Sequence, residues 1–191
     1  YGIIKFLYEM KRALLIVDIQ NDYFKGGNME LVHPEAACAN AIKIADAFRA
    51  KGLPVLYMRH IAQEKDATFF IPGTKGIEIR SEIQPKEGDK VFIKHYPNSF
   101  RETGLLPYLK EEGITHLTIL GMMTHICIDT TTRAAVDNGF EVELISDACA
   151  TRDLEYDGKV AKAEDVQTAF MSAINAGFCP VIKTEEFLKK F

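Results

Sequence analysis

Residues 121–135 read GMMTHICIDTTTRAA, and they follow directly on the apolar run LTIL at 117–120. The pattern predicts a buried strand over 116–120, a glycine, and then a helix over 124–138 that Gly139 stops. One cysteine, Cys127, falls near the start of that helix. Such a residue is either a small hydrophobe filling space or a nucleophile, and the surrounding sequence has to decide which.

The same strand-then-helix alternation runs through the chain. Residues 13–17 (ALLIV) predict a first strand ending at Asp18. Residues 34–51 place apolar side chains at 37, 41, 44, 45 and 48, a helical spacing, and Gly52 supplies the stop. Further strands are expected at 54–58, at 91–93 just before Lys94, at 141–145 and at 180–183. Helices are expected at 105–112, at 159–176 and at the C-terminus. Residues 60–90, with GTKG, PKEGD and little periodicity, read as a long loop with short pieces of structure. Long loops in compact domains are usually functional. Strands alternating with helices require a parallel sheet covered on both faces, because each parallel crossover needs a helix. The nearly continuous apolar strands agree with that α/β class.

A chain of 191 residues fits one domain with a sizeable core. The lead-in from Met10 runs straight into the first strand, so the domain is taken as 10–191, with 1–9 an upstream extension or a cloning remnant. The formal net charge is −4 without a long basic block, which argues against nucleic acid or an anionic membrane as partner. The cysteines, Cys38, Cys127, Cys149 and Cys179, lie far apart with no CxxC pair. That argues against a disulfide framework and a structural metal site, and suits a reducing, cytoplasmic setting.

In open α/β sheets, ligands bind beyond the carboxyl ends of the strands, near the point where strand order reverses. Asp18, Lys94 and Cys127 stand at three such ends. A helix start and the Lys94 ammonium are both expected to lower the thiol pKa from about 8.5. Asp18 can accept the thiol proton and return it to a leaving group. Unpaired N–H groups around 123–127 can hold an oxyanion. Taken singly, each residue has an ordinary structural reading as core thiol, turn residue or solvated charge. Their shared location is what favours chemistry.

Three blocks, ALLIVDIQNDYF, VFIKHYPNSF and ILGMMTHICIDTTTRAAVDNGFEVELISDACATRD, in this order and spacing, resemble the isochorismatase-like cysteine hydrolases. The resemblance covers residues 12 to about 180. It implies a three-layer α/β/α fold with a mostly parallel, Rossmann-like sheet and an Asp18–Lys94–Cys127 triad. It also implies a cis bond at Met122–Met123 that turns the Met123 amide, with that of Cys127, toward the oxyanion. No cofactor is implied. The nicotinamidases of this family carry a metal between an Asp and close-set histidines after the second strand. Here His60 in YMRHIAQEKDATFF has no second histidine before His95, so no metal is expected.

Retention of the cysteine favours cleavage of a C–N bond in a small amide or ureido substrate through a thioester. The alternatives are vinyl-ether hydrolysis of the isochorismatase type, driven by Asp18, and a non-catalytic binding or assembly member of the fold. Phe24, His60, Tyr96, Phe100 and His125 are the candidate pocket residues. Many relatives are homo-oligomers, and the apolar TFFIPG at 68–73 is expected to pack on a neighbouring subunit.

Overall fold

The computed structural model describes residues 10–191. The assignment of 1–9 as an extension lies outside the described residues. Strands β1 (Arg12–Val17), β2 (Val55–His60), β3 (Lys90–Lys94), β4 (His116–Met122), β5 (Glu141–Ala150) and β8 (Val181–Ile182) form one sheet in the order β3-β2-β1-β4-β5-β8. All of its pairings are parallel. A short antiparallel hairpin, β6 (Leu154–Tyr156) and β7 (Lys159–Ala161), stands apart from it. The helices are α1 (Pro34–Ala50), α2 (Leu105–Glu111), α3 (Asp129–Asp137), α4 (Ala163–Gly177) and α5 (Thr184–Lys190).

The period-2 pleat of β1 divides the core. Leu14 and Ile16 face one cluster with Ile44 and Phe48 of α1 and Phe187 of α5. Ala13, Leu15 and Val17 face the other, with Leu109 of α2, Ala135 of α3 and Ile174 of α4. The three-layer α/β/α arrangement follows: among the described residues, two helices cover one face of the sheet and three the other. The sheet grows from β1 toward β3 on one side and from β4 toward β8 on the other. The reversal therefore falls between β1 and β4, where a crevice opens at the carboxyl edge.

Gly121 makes the β1–β4 contact there possible. It pairs with Val17 at a φ of 131°, and a Cβ in its place would stand 2.0 Å from the Val17 carbonyl oxygen. Only a residue without a side chain allows the two backbones to close at this point.

Several boundaries depart from the sequence expectation. The strand at 141–145 continues to Ala150, because β5 bulges: Ile119 pairs with Leu144, whereas Gly121 pairs with Cys149. The helix expected from 159 begins at Ala163, since 154–161 form the hairpin around Asp157 and Gly158, both at positive φ. The helix at 124–138 opens with a π-helical turn, Thr124–Ile128, before α3. The β3 strand lies at the sheet edge with Val91 and Ile93 exposed, so it is not buried on both faces.

The long 60–90 segment folds back over the carboxyl edge. Ile79 pairs with Gln20, and the Phe70 N–H donates to Asp22 Oδ2 at 2.6 Å. Phe70 is buried in its own chain against Tyr23 and His60, and Phe69 is partly buried beside it. The two rings wall a cavity within this chain. No helix among the described residues is long and apolar enough to cross a membrane.

Candidate active site

Asp18 is the first residue beyond β1 and takes a left-handed backbone conformation, φ 52°. Lys94 is the last residue of β3, and Cys127 sits inside the π-helical turn after β4. The three side chains meet. Lys94 Nζ lies 2.8 Å from Asp18 Oδ2 and donates to Cys127 Sγ at 3.3 Å. The Asp18 carboxylate and Cys127 Sγ approach within 4.8 Å. Asp18 and Lys94 are wholly buried and Cys127 is 4% exposed. The Lys94 ammonium is the cation the Asp18 carboxylate faces, and the Cys127 thiol is a further hydrogen-bond donor to it.

His60, at the end of β2, completes the cluster. Gln20 holds its backbone on both sides: Gln20 Nε2 donates to the His60 carbonyl, and the His60 N–H donates to Gln20 Oε1, each at 2.8 Å. The His60 Nδ1 faces Lys94 Nζ at 2.9 Å, and Lys94 also donates to the Tyr96 carbonyl at 3.0 Å. An ammonium can only donate, so Nδ1 is the acceptor and the neutral ring carries its proton on Nε2. Burial first, and then Lys94, push the His60 pKa down to about 3. The 4.0 Å approach of His60 to Asp18 is therefore not an ion pair at neutral pH.

The electrostatics correct one expectation. The Cys127 thiol is not lowered but pushed up to about 12. Burial is the larger cause and the Asp18 carboxylate the next, and Lys94 offsets only part of them. Burial likewise raises Asp18 above the usual carboxylate range despite Lys94. Burial alone would depress Lys94, but Asp18 and then Cys127 outweigh it and hold it above its ordinary value. The resting site is thus a thiol, a carboxylate and an ammonium, with one negative charge beside one positive. Moving the thiol proton to Asp18 leaves that charge count unchanged, which a buried site favours.

Asp18, His60 and Cys127 each offer one ligand atom, and these lie within 4.8 Å of one another. They are the residues that could hold a metal. The Lys94 ammonium occupies the space between them, at 2.8, 2.9 and 3.3 Å, so a metal there would have to displace it or sit against it.

A cavity of about 350 Å³ opens in front of Cys127. Of the candidate pocket residues, His60 and Tyr96 line it. Phe24 does not: it turns into the core beneath the Arg80 guanidinium. Phe100 stacks on Phe140 on the far side of α3, and the His125 ring bonds Thr151 Oγ1 at 2.7 Å, away from the cavity. The expectation missed Tyr23, Phe69 and Phe70. Tyr23 carried a usable signal, since it follows Asp18 at the same strand end. Phe70 carried none, because its place depends on the fold-back of the loop. Met123 lines the cavity beside Cys127, and the Met122–Met123 bond is cis. A larger cavity of about 580 Å³ lies between the starts of α1 and α4 and touches neither Asp18, Lys94 nor Cys127.

Comparison with known proteins gives a consistent family. The Isochorismatase domain matches residues 12–186. An uncharacterized isochorismatase family protein of Bacillus subtilis is 47% identical over 94% of this chain and its own full length. An isochorismatase-family structure from Oleispira antarctica superposes with a TM-score of 0.90 at 42% identity, covering 98% of this chain and all of the other. A more distant relative, 31% identical over 75% of this chain and 51% of its own, is a streptothricin hydrolase of Streptomyces noursei. With the parallel sheet, the carboxyl-edge crevice and a family match along nearly the whole chain, this protein belongs to the isochorismatase family of hydrolases.

Proposed function

We propose that this protein is a cysteine hydrolase that cleaves the C–N bond of a small amide or ureido compound, with Cys127 as nucleophile. The observation that carries the reading is the convergence of Asp18, Lys94 and Cys127 at one strand edge, buried, charge-balanced and facing a cavity. Packing alone does not call for a buried lysine between a carboxylate and a thiol.

Asp18 takes the proton from Cys127 Sγ as the sulfur attacks the carbonyl carbon, forming the C–S bond. The raised Asp18 pKa suits it to that role, and Lys94 stabilises the negative charge as it passes from carboxylate to sulfur. The carbonyl oxygen gathers charge against the backbone N–H groups of Met123 and Cys127. Collapse breaks the C–N bond, and the departing nitrogen takes the proton from Asp18. Water then gives a proton to Asp18 and attacks the thioester. Expulsion of the thiolate, reprotonated by Asp18, restores the resting site. His60 fixes the direction of the Lys94 ammonium through Nδ1.

A second reading, vinyl-ether hydrolysis, draws on the same raised Asp18, which would then serve as the acid. A panel of amide and ureido compounds, assayed beside isochorismate with wild type and Cys127→Ala, separates the two. Loss of all amide turnover in Cys127→Ala supports the thioester route. Turnover of isochorismate alone, undiminished in Cys127→Ala, replaces it.

A further inference from the structure

The cavity before Cys127 has a one-sided charge pattern. Its inner wall is aromatic, with Tyr23 and Phe70 at 4.8 Å between ring centroids and Phe69 at 5.0 Å from Phe70. Its outer wall carries two exposed carboxylates, Glu64 and Asp66. Among the described residues neither lysine nor arginine lines it. Lys94 lies beneath the floor, already matched by Asp18 at 2.8 Å. Behind the aromatic wall stands a third carboxylate, Asp22, buried and accepting the N–H groups of Phe70 at 2.6 Å and Asn28 at 3.1 Å.

The nearby cations stand outside the lining. Arg101 lies over the lining Tyr96 ring at 3.5 Å, Arg80 over Phe24 at 4.5 Å, and Lys65, between Glu64 and Asp66, and Arg152 are exposed; none of the four lines the cavity. The lining histidines are already engaged: His60 accepts from Lys94, and His95 Nδ1 lies 2.7 Å from the Ile61 carbonyl. A ligand carboxylate entering here would shed water, meet Glu64 and Asp66, and find no cation in the lining among the described residues. Desolvating a charge without a partner is strongly unfavourable. An organic cation meets carboxylates at the mouth and ring faces within, which is a favourable setting for it.

We infer that Glu64 and Asp66 set the charge selectivity of this site: it takes a small carboxylate-free substrate, uncharged or cationic at the end facing the mouth, and excludes dicarboxylates such as isochorismate. The substrate class rests on the reading of Cys127 as the nucleophile of C–N hydrolysis, whereas the charge preference is a property of the cavity itself.

The test uses two thiol reagents of similar size and opposite charge, trimethylammonioethyl and sulfonatoethyl methanethiosulfonate. The modification rate of the Cys127 peptide is read by mass spectrometry and normalised to N-acetylcysteine. The cationic reagent should win by about tenfold in wild type, and Glu64→Gln/Asp66→Asn should remove most of that preference. Equal normalised rates, or a preference that survives in the double variant, overturn the assignment. Calorimetry of benzamidinium, benzamide and benzoate with the Cys127→Ala variant reads the same cavity without the thiol. Benzamidinium should bind about tenfold more tightly than benzoate, and the reverse order overturns the inference. Failure of Cys127 to react with either reagent, with the calorimetric order as expected, counts against the nucleophile and leaves the charge selectivity standing.

Discussion

Replacing Asp18 with asparagine should make Cys127 a faster thiol and the protein a dead hydrolase. Burial is the larger cause of the raised thiol pKa, and it persists in the variant. The carboxylate is the next cause, and it is removed. The two groups lie within 4.8 Å. At an effective dielectric of about 20, unit charges at that separation interact by about 3.5 kcal/mol, or roughly 2.5 pKa units. Thiolate at pH 7.5 should then rise roughly 300-fold. Nucleophilicity falls as the thiol becomes more acidic, with a Brønsted coefficient of about 0.45, which returns roughly a factor of 13. The net expectation is a roughly 20-fold faster second-order reaction of Cys127 with iodoacetamide, followed as mass on the Cys127 peptide. Turnover should stop, because nothing remains to carry the proton. A labelling rate that stays level or drops in Asp18→Asn would show that the carboxylate does not govern the thiol, and the assignment of Asp18 as the base would fail with it.

Two further outcomes follow from the same geometry. The folded pKa of His60, about 3, lies below its unfolded value of 6.5, so the unfolded chain binds the extra proton first as pH falls. Wild type should therefore lose about 2 kcal/mol of stability from this residue between pH 7 and pH 5. His60→Asn keeps an acceptor near Lys94 without a titrating ring, and its urea midpoints should lack that slope; parallel slopes would rule out a buried neutral His60. Gly121→Ala forces a Cβ to 2.0 Å from the Val17 carbonyl at positive φ and should cost about 3 kcal/mol, seen as a lower midpoint of thermal or urea unfolding. An unchanged midpoint would contradict the close β1–β4 approach.

The sheet and the meeting of Asp18, Lys94 and Cys127 were legible because their signals are local. Asp18, Lys94 and Cys127 each end or follow an apolar run, and parallel topology carries such ends to one edge whatever the loops do. What was not legible depends on long-range packing. Continuation of β5 through Ser146 and Asp147 rests on a bulge opposite Ile119 and Gly121. The hairpin at 154–161 did carry its turn signal, Asp-Gly, but it is too short to stand out against the helix period that follows. Phe70 became a wall of the cavity through its backbone bond to Asp22, a contact across 48 positions that no window of sequence contains. Sequence alone puts the thiol pKa too low for the same reason: the neighbouring charges show in the sequence, but the extent of burial does not.

The most direct test of the nucleophile is capture of the acyl-enzyme. Once the substrate panel has supplied a substrate, wild type mixed with it and acid-quenched within the first turnovers should show one acyl adduct by intact mass, localised to the Cys127 peptide. Cys127→Ala should fold, at a cost of about 1 kcal/mol for the buried thiol, and show neither adduct nor turnover. Undiminished turnover by Cys127→Ala, with no adduct on wild type, would contradict a thioester mechanism and leave Asp18 as the centre of the chemistry.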